Sequence, residues 1–499
     1  MAQNGGGNGM VTRRWVIAGL MAGGAAPVLA DAPLTSPRPP GRPGAPGAPL
    51  IRKVMSGQAA VAAAQLGGPV GYLAVDSRTG EVVDALDPDI PLPPASTAKV
   101  ITSLYAWERL GPSFRFGTRL LATGPVTGGQ IRGDLVLAGS GDPTLSTDTL
   151  AAMAADLRAA GVSSITGRFL VNEAALPSLP QIDGDQPDHV GYNPSISGLN
   201  LNFNRVHFEW RRAGQGWDVA MDARSDLYVP PVRMARITVV PRDLPVYTFA
   251  EKGGIDTWTV ASAALGKGGS RWLPVRQPGV YAGDVFRTLA RAQGIDLPEP
   301  DMVRSRPDGT VLVQAVSERL PAVLQDMLKF STNLTAEVLG LIATGGGVKT
   351  LAASAGQMSS WAAQRFGRAG RFVDHSGLGS GSRVAPADMV AALVKAQDGP
   401  LPGLLKPFAL RDAGGREQKG HPVKVAAKTG TLNFVSALTG YITTPDGRRL
   451  AFTVFAADTA RRDAVPLAER EEPAGGAAWA KRARNLQSRL IEGWAGVSG

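Results

Sequence analysis

The feature that most constrains this chain is the placing of three short polar motifs, Ser96-Thr97-Ala98-Lys99, Ser331-Thr332-Asn333 and Lys428-Thr429-Gly430, each beside an apolar run and far apart in sequence. A serine hydroxyl is a feeble nucleophile near neutral pH. It becomes an effective one when an amine deprotonated by burial or a cationic neighbour lies within hydrogen-bond reach. Lys99, three residues beyond Ser96 and one helical turn away, meets that requirement, and Lys428 is a candidate for the neighbouring charge. Alternatively Lys99 stays charged and only orients Ser96. Ser-x-x-Lys alone is common by chance, so its weight comes from the order and setting of the three motifs together.

The flanking patterns place each motif on an element. From Ser96 onward, Val100, Ile101, Leu104, Trp107 and Leu110 recur at helical spacing until Gly111-Pro112, so Ser96 is expected at a helix N-terminus, whose free N–H groups suit a developing oxyanion. Helices are predicted over 320–329 and about 336–342, with Ser331 to Asn333 between them. Ser331 offers a hydroxyl able to relay a proton, and Asn333 a carboxamide able to bind a substrate amide. Val423 to Ala427 leads Lys428 onto a strand, where Lys428, Thr429 and Thr431 alternate with Gly430. One face is expected to present cation and hydroxyl while glycine allows close approach. Strands 437–443 and 450–457 flank Thr444-Pro445-Asp446-Gly447 as a meander, and 71–75 with 81–83 flank Arg78-Thr79-Gly80 as a hairpin. The stretch 477–494, with Trp479, Leu486, Leu490, Ile491 and Trp494 in register, predicts a helix packed on the sheet, with a membrane-surface role as the lesser reading. Taken singly, these motifs read as two helix caps and an exposed strand edge; taken as a set they read as one site.

A chain of 499 residues is too long for one ordinary core. Thr12-Arg13-Arg14 before an apolar stretch to Ala26 reads as an export signal over 1–32, by the general or the twin-arginine route, and Pro/Gly-rich 33–48 reads as a linker. The segments 49–111 and 306–499 carry the motifs. Residues 112–305, with strand-like runs, frequent turns and one helix near 150–160, read as inserted material. No run is long enough to span a bilayer, which limits membrane contact to peripheral. The chain has no cysteine, excluding disulfides and thiolate metal sites. Its net charge of +10 is scattered rather than striped, so nucleic acid is not an expected partner. Four histidines lie apart, outside any His-Glu-x-x-His pattern, and no Gly-x-Ser-x-Gly elbow occurs; no metal or cofactor is expected. His375, in Asp374-His375-Ser376-Gly377-Leu378, is read as structural.

The trio is similar to the signature of penicillin-binding proteins and related β-lactamases. Beyond it, Gly141-Asp142-Pro143-Thr144-Leu145, Leu199 to Asn204, Ser331 to Glu337 and Lys428 to Tyr441 resemble segments of the penicillin-binding protein 4 type of D-alanyl-D-alanine carboxypeptidase/endopeptidase, the class C low-molecular-mass penicillin-binding proteins. The resemblance covers most of the mature chain, including the long gap after Ser-x-x-Lys. It implies an α+β fold: a transpeptidase/β-lactamase-like domain, an antiparallel sheet flanked by helices, interrupted by a large, mainly β insertion forming two nested domains. It also implies a periplasmic enzyme that cleaves peptidoglycan stem peptides and cross-links (muropeptides), with β-lactams as covalent inhibitors. Ser96 would be the nucleophile, Lys99 its base, Ser331 the proton relay and Asn333 a peptide holder. Lys428, Thr429 and Thr431 would receive the terminal carboxylate, with the oxyanion between the Ser96 and Thr431 N–H groups. Two positions depart from the family pattern: Thr332 stands for Asp, and Gly379 for Ser. The competing readings are a catalytically idle peptidoglycan-binding or scaffold protein, and a β-lactamase.

Overall fold

The computed structural model describes residues 56–496 apart from 306, 307 and 413. The proposed export signal and linker lie outside them. Six strands form the sheet that carries the third motif, in the order Lys406–Pro407, Lys424–Leu432, Val435–Thr443, Arg449–Ala457, Val70–Asp76, Val82–Leu86. All neighbours are antiparallel. The expected hairpin and meander are both present.

The two central strands, Val435–Thr443 and Arg449–Ala457, are buried on both faces, and period-two alternation sorts their side chains into two cores. Ala437, Tyr441, Ala451 and Phe455 meet the motif-bearing helices, whereas Leu438, Ile442, Phe452 and Val454 meet the terminal helix Gly476–Trp494. That helix buries the predicted stripe of Trp479, Leu486, Leu490, Ile491 and Trp494, the Trp494 ring lying 5.5 Å from Tyr72 and 5.9 Å from Phe452. Each such side chain removed from water contributes about 1.5–3 kcal/mol, which accounts for the stripe without invoking a lipid surface. Among the described residues no helix is long and apolar enough to cross a membrane.

Between the first and second motifs the chain builds separate sheets. A five-stranded mixed sheet runs Pro300–Val303, Phe169–Asn172, Leu135–Ala138, Gly117–Ala122, Thr310–Val316, and two three-stranded sheets occupy 205–274. Their side chains form a core of their own. Two long helices pack there, Thr147–Ala159 as expected and Pro278–Ala292, which the single-helix reading misses. Its signals were Pro278 at the first turn and Tyr281, Val285, Phe286 and Leu289 on one buried stripe. The glycine-rich and asparagine-rich segments are structural here: the Asn200 amide donates to the Gly141 carbonyl at 3.1 Å, and Asn204 donates to Asn200 at 2.7 Å.

Candidate active site

Ser96 sits in a 3₁₀ turn, Ala95–Thr97, that runs directly into the helix Ala98–Leu110, so the predicted placing at a helix start holds. The helix buries Val100, Ile101 and Tyr105 and ends at Gly111, as its apolar spacing requires. Lys99 is wholly buried beneath Ser96. Its Nζ lies 3.0 Å from Ser96 Oγ, 2.7 Å from Asn333 Oδ1 and 2.8 Å from the Ser376 carbonyl. Two of these three acceptors have no proton to give. A neutral amine there donates its two N–H groups to Asn333 and Ser376 and turns its lone pair to the Ser96 hydroxyl, the orientation of a base. Burial lowers Lys99 to about 8, against the opposing pull of the Glu337 and Asp374 carboxylates. Burial rather than the neighbouring lysine is thus what brings this amine toward neutrality.

The second motif joins two helices, Leu320–Phe330 and Asn333–Thr344. Asn333 is the first residue of the second helix rather than a linker residue, which starts that helix earlier than its apolar pattern suggests. Ser331 takes a left-handed backbone conformation (φ 59°), unfavourable for a side chain with Cβ, and this turns its hydroxyl toward Lys428. The Asn333 carboxamide bridges two parts of the chain: Oδ1 accepts from Lys99, and Nδ2 donates at 2.8 Å to the carbonyl of Tyr192, which belongs to the long connection.

The third motif lies on the strand Lys424–Leu432. Lys428, 1% exposed, donates to Ser331 Oγ at 2.9 Å and to the Thr429 carbonyl at 2.6 Å. Burial, then repulsion from Lys99 and Lys406, hold it well below the ordinary lysine range. The expectation that cation and hydroxyl share one strand face fails on the period of two: Lys428 and Gly430 point one way, Thr429 and Thr431 the other. Gly430 lies against the nucleophile's turn, where a Cβ would come within 2.9 Å of the Ser96 nitrogen. Thr431 lines the same cleft as Ser96, Ser331 and Asn333, a cavity of about 970 Å³ whose far wall includes Tyr192 and Arg462. The neighbouring short strand covers this edge only at Ala426 and Ala427, leaving it open beside the motif.

A fourth element that motif reading undervalued closes the site from behind, the loop Asp374 to Gly379. Glu337 accepts from the His375 and Ser376 amides at 2.9 and 2.8 Å, and Asp374 from the Gly377 and Gly379 amides at 2.7 and 2.5 Å. Gly377, at φ 78°, packs on the Ala95 carbonyl, where a Cβ would stand only 1.8 Å from the oxygen. His375 is buried in this loop with Nε2 2.8 Å from Ser354 Oγ, and burial lowers it to about 3, so it stays a neutral packing residue as read from the sequence. The Gly379 departure has a local reason: a Cβ there would lie 2.9 Å from both Asp374 Oδ2 and Val373 Cγ2. Away from the cleft, His207, Glu209 and Asp222 lie close enough to hold a cation, but Arg224 already pairs with both carboxylates, at 2.8 and 2.7 Å.

Comparisons with known proteins bear on the family and the fold. The chain is 29% identical over 435 residues to a D-alanyl-D-alanine carboxypeptidase of Actinomadura sp. (strain R39), covering 78% of this chain and 77% of that one. It is 25% identical over 431 residues to the D-alanyl-D-alanine carboxypeptidase DacB of Haemophilus influenzae, covering 78% of this chain and 85% of that one. The crystal structure of penicillin binding protein 4 (dacB) from Haemophilus influenzae superposes with a TM-score of 0.69 at 21% identity over 86% of this chain and 99% of that chain, establishing the expected fold. The same protein has been solved in complex with a β-lactam. A profile of the D-Ala-D-Ala carboxypeptidase 3 (S13) family matches residues 58–481, so the chain belongs to that family of serine-type peptidases, as its three motifs led one to expect.

Proposed function

We propose that this protein hydrolyses peptidoglycan stem peptides and cross-links after D-alanine through an acyl-enzyme on Ser96, and that penicillin acylates the same atom. The observation that carries the reading is the Lys99 amine, buried beneath the nucleophile with two proton-free acceptors fixing the direction of its lone pair. In the acylation step the Ser96 hydroxyl proton passes to Lys99 as Oγ bonds to the penultimate D-alanine carbonyl. The oxyanion rests between the Ser96 and Thr431 N–H groups. The peptide C–N bond then breaks, and the leaving amine takes a proton through Ser331, which Lys428 holds at 2.9 Å. Water attacks the ester by the reverse route and restores Ser96. The open strand edge beside Lys428, Thr429, Gly430 and Thr431 suits an extended peptide whose terminal carboxylate meets the Lys428 end. Asn333 acts chiefly on Lys99, since its Oδ1 is committed to the amine, and its second amide proton is left for the substrate.

We further propose a periplasmic location following export, and a division into a catalytic unit interrupted by an insertion beginning near residue 112. In this reading the insertion covers 112–305, and Thr310–Val316, on the returning chain, adds an edge strand beside Gly117–Ala122 before the motif helices begin at Leu320. An idle binding protein has no chemical use for a buried amine aimed at a serine. The test is labelling with a fluorescent penicillin followed by peptide mapping, alongside release of D-alanine from muropeptides. Label is expected on Ser96 and absent in Ser96→Ala; label persisting in that variant would refute the assignment.

A further inference from the structure

The Lys99 amine is held from above by Ser96, from the side by Asn333 and from behind by the Ser376 carbonyl. Among the described residues, no side chain of the nucleophile helix besides Lys99 is hydrogen-bonded to that carbonyl. Its own residue's amide, and that of His375, are gripped by the two oxygens of Glu337, which is completely buried. Glu337 stands four residues beyond Asn333 on the helix Asn333–Thr344, so both project from one face, one turn apart. A single helix face therefore reaches Lys99 twice, directly through Asn333 and through the loop by way of Glu337.

We propose that Glu337 is a positioning residue for the proton transfer: it fixes the Ser376 carbonyl as the rear acceptor of the Lys99 amine and places a negative charge behind that amine. This rests on the serine–lysine reading above. A carboxylate suits the position because both of its oxygens receive backbone N–H groups, which a neutral acid or an amide matches on one side only. Burial and then the Asp374 carboxylate push Glu337 up to about 8, while hydrogen bonds from Ser376 and His375 and the Lys99 charge favour its charged form. The other ionisable groups facing this set are Asp374, also pushed up by burial, and the neutral His375 from the loop, and Lys428 from the motif strand. The loop is tied to the nucleophile helix a second time, by Thr102 Oγ1 donating to the His375 carbonyl at 2.6 Å. Moving the Glu337 clamp thus moves an acceptor that the helix already expects in place.

The sign of the electrostatic effect follows directly. A negative charge near Lys99 favours its protonated form, so removing the charge lets the amine lose its proton at lower pH. In Glu337→Gln the acid limb of the acylation pH profile is expected to move down, by less than about one pH unit because Glu337 carries its charge over only the upper part of that range, while the plateau falls at least about tenfold as the rear acceptor loosens. Glu337→Asp keeps the charge but is too short to grip both amides. Its limb is expected to stay at the wild-type pH and its plateau to fall about tenfold. The measurement is the acylation rate of the full chain by fluorescent penicillin across about pH 5 to 9, with thermal unfolding to establish that each variant is folded. A folded Glu337→Gln protein with an unmoved limb overturns the proposal, as does a Glu337→Asp protein with the wild-type plateau. Should the Gln variant not fold, the Asp variant decides alone, a moved limb or an unchanged plateau counting against it. Peptide mapping keeps the two questions apart, because label on a residue other than Ser96 defeats the nucleophile reading, whereas label on Ser96 with an unmoved limb defeats only the role of Glu337.

Discussion

Lys99→Met is the sharpest perturbation of this site, since methionine fills much of the same slot and removes only the amine. With Lys99 lowered by burial to about 8, roughly one side chain in ten is neutral at pH 7, against about one in three thousand for an ordinary lysine. Burial therefore enriches the base about 300-fold, equivalent to about 3 kcal/mol in the proton equilibrium. Wild-type acylation is expected to climb about tenfold per pH unit below neutrality and to bend near the Lys99 value, because protonation removes the lone pair that accepts the Ser96 proton. Lys99→Met should lose about 10³-fold at neutral pH, within the span that a positioned base supplies, and should lose the acid limb altogether. The carbonyls of Asn333 and Ser376 lose their shared donor, at about 1–3 kcal/mol of folding stability. Stopped-flow acylation by fluorescent penicillin gives the rate, and thermal unfolding gives the stability. A variant that acylates within tenfold of wild type, or that keeps the acid limb, refutes the reasoning.

Two further outcomes follow from the same geometry. Lys428→Met removes the amine hydrogen-bonded to the Ser331 hydroxyl and should slow both acylation and D-alanine release by about 10²–10³-fold, most visibly in the binding of substrates with a free terminal carboxylate; equal loss for carboxylate and amide substrates would remove its role in carboxylate binding. Gly430→Ala places a carbon 2.9 Å from the Ser96 nitrogen and the Pro94 carbonyl, and is expected to cost about 1–3 kcal/mol of stability and more than tenfold in acylation; wild-type acylation kinetics in that variant would show that the turn and the strand do not need to meet so closely.

The parts of the fold that were legible in the sequence are those with strong period or punctuation. The helix bearing Ser96, the terminal helix and the meander follow from apolar spacing and from Gly and Pro at their ends. Pro278–Ala292 escaped because its apolar residues are interleaved with Gly279, Gly283 and Asp284, which weaken a propensity reading even though the stripe itself is intact. In the site, Ser96, Lys99, Ser331, Asn333 and Lys428 announce themselves by short spacing. Glu337 and the Asp374–Gly379 loop stand in family-like or glycine-rich segments, but their role is not legible there, because it is a set of side-chain to backbone hydrogen bonds across long sequence separations. A Glu amid the apolar run 334–343 is the residue-level signal that could have found it, since a buried charge requires partners.

Gly377 and Gly430 flank the turn that holds Ser96, and at both the contact is made by backbone against backbone. The placement of the nucleophile is thus a property of clearance. Truncating neighbouring side chains leaves that clearance untouched, whereas one added methyl on either flank wedges the turn away from its base. Tolerance to substitution around Ser96 should accordingly run opposite to the usual rule for a buried region, with deletions of bulk borne and additions of it not.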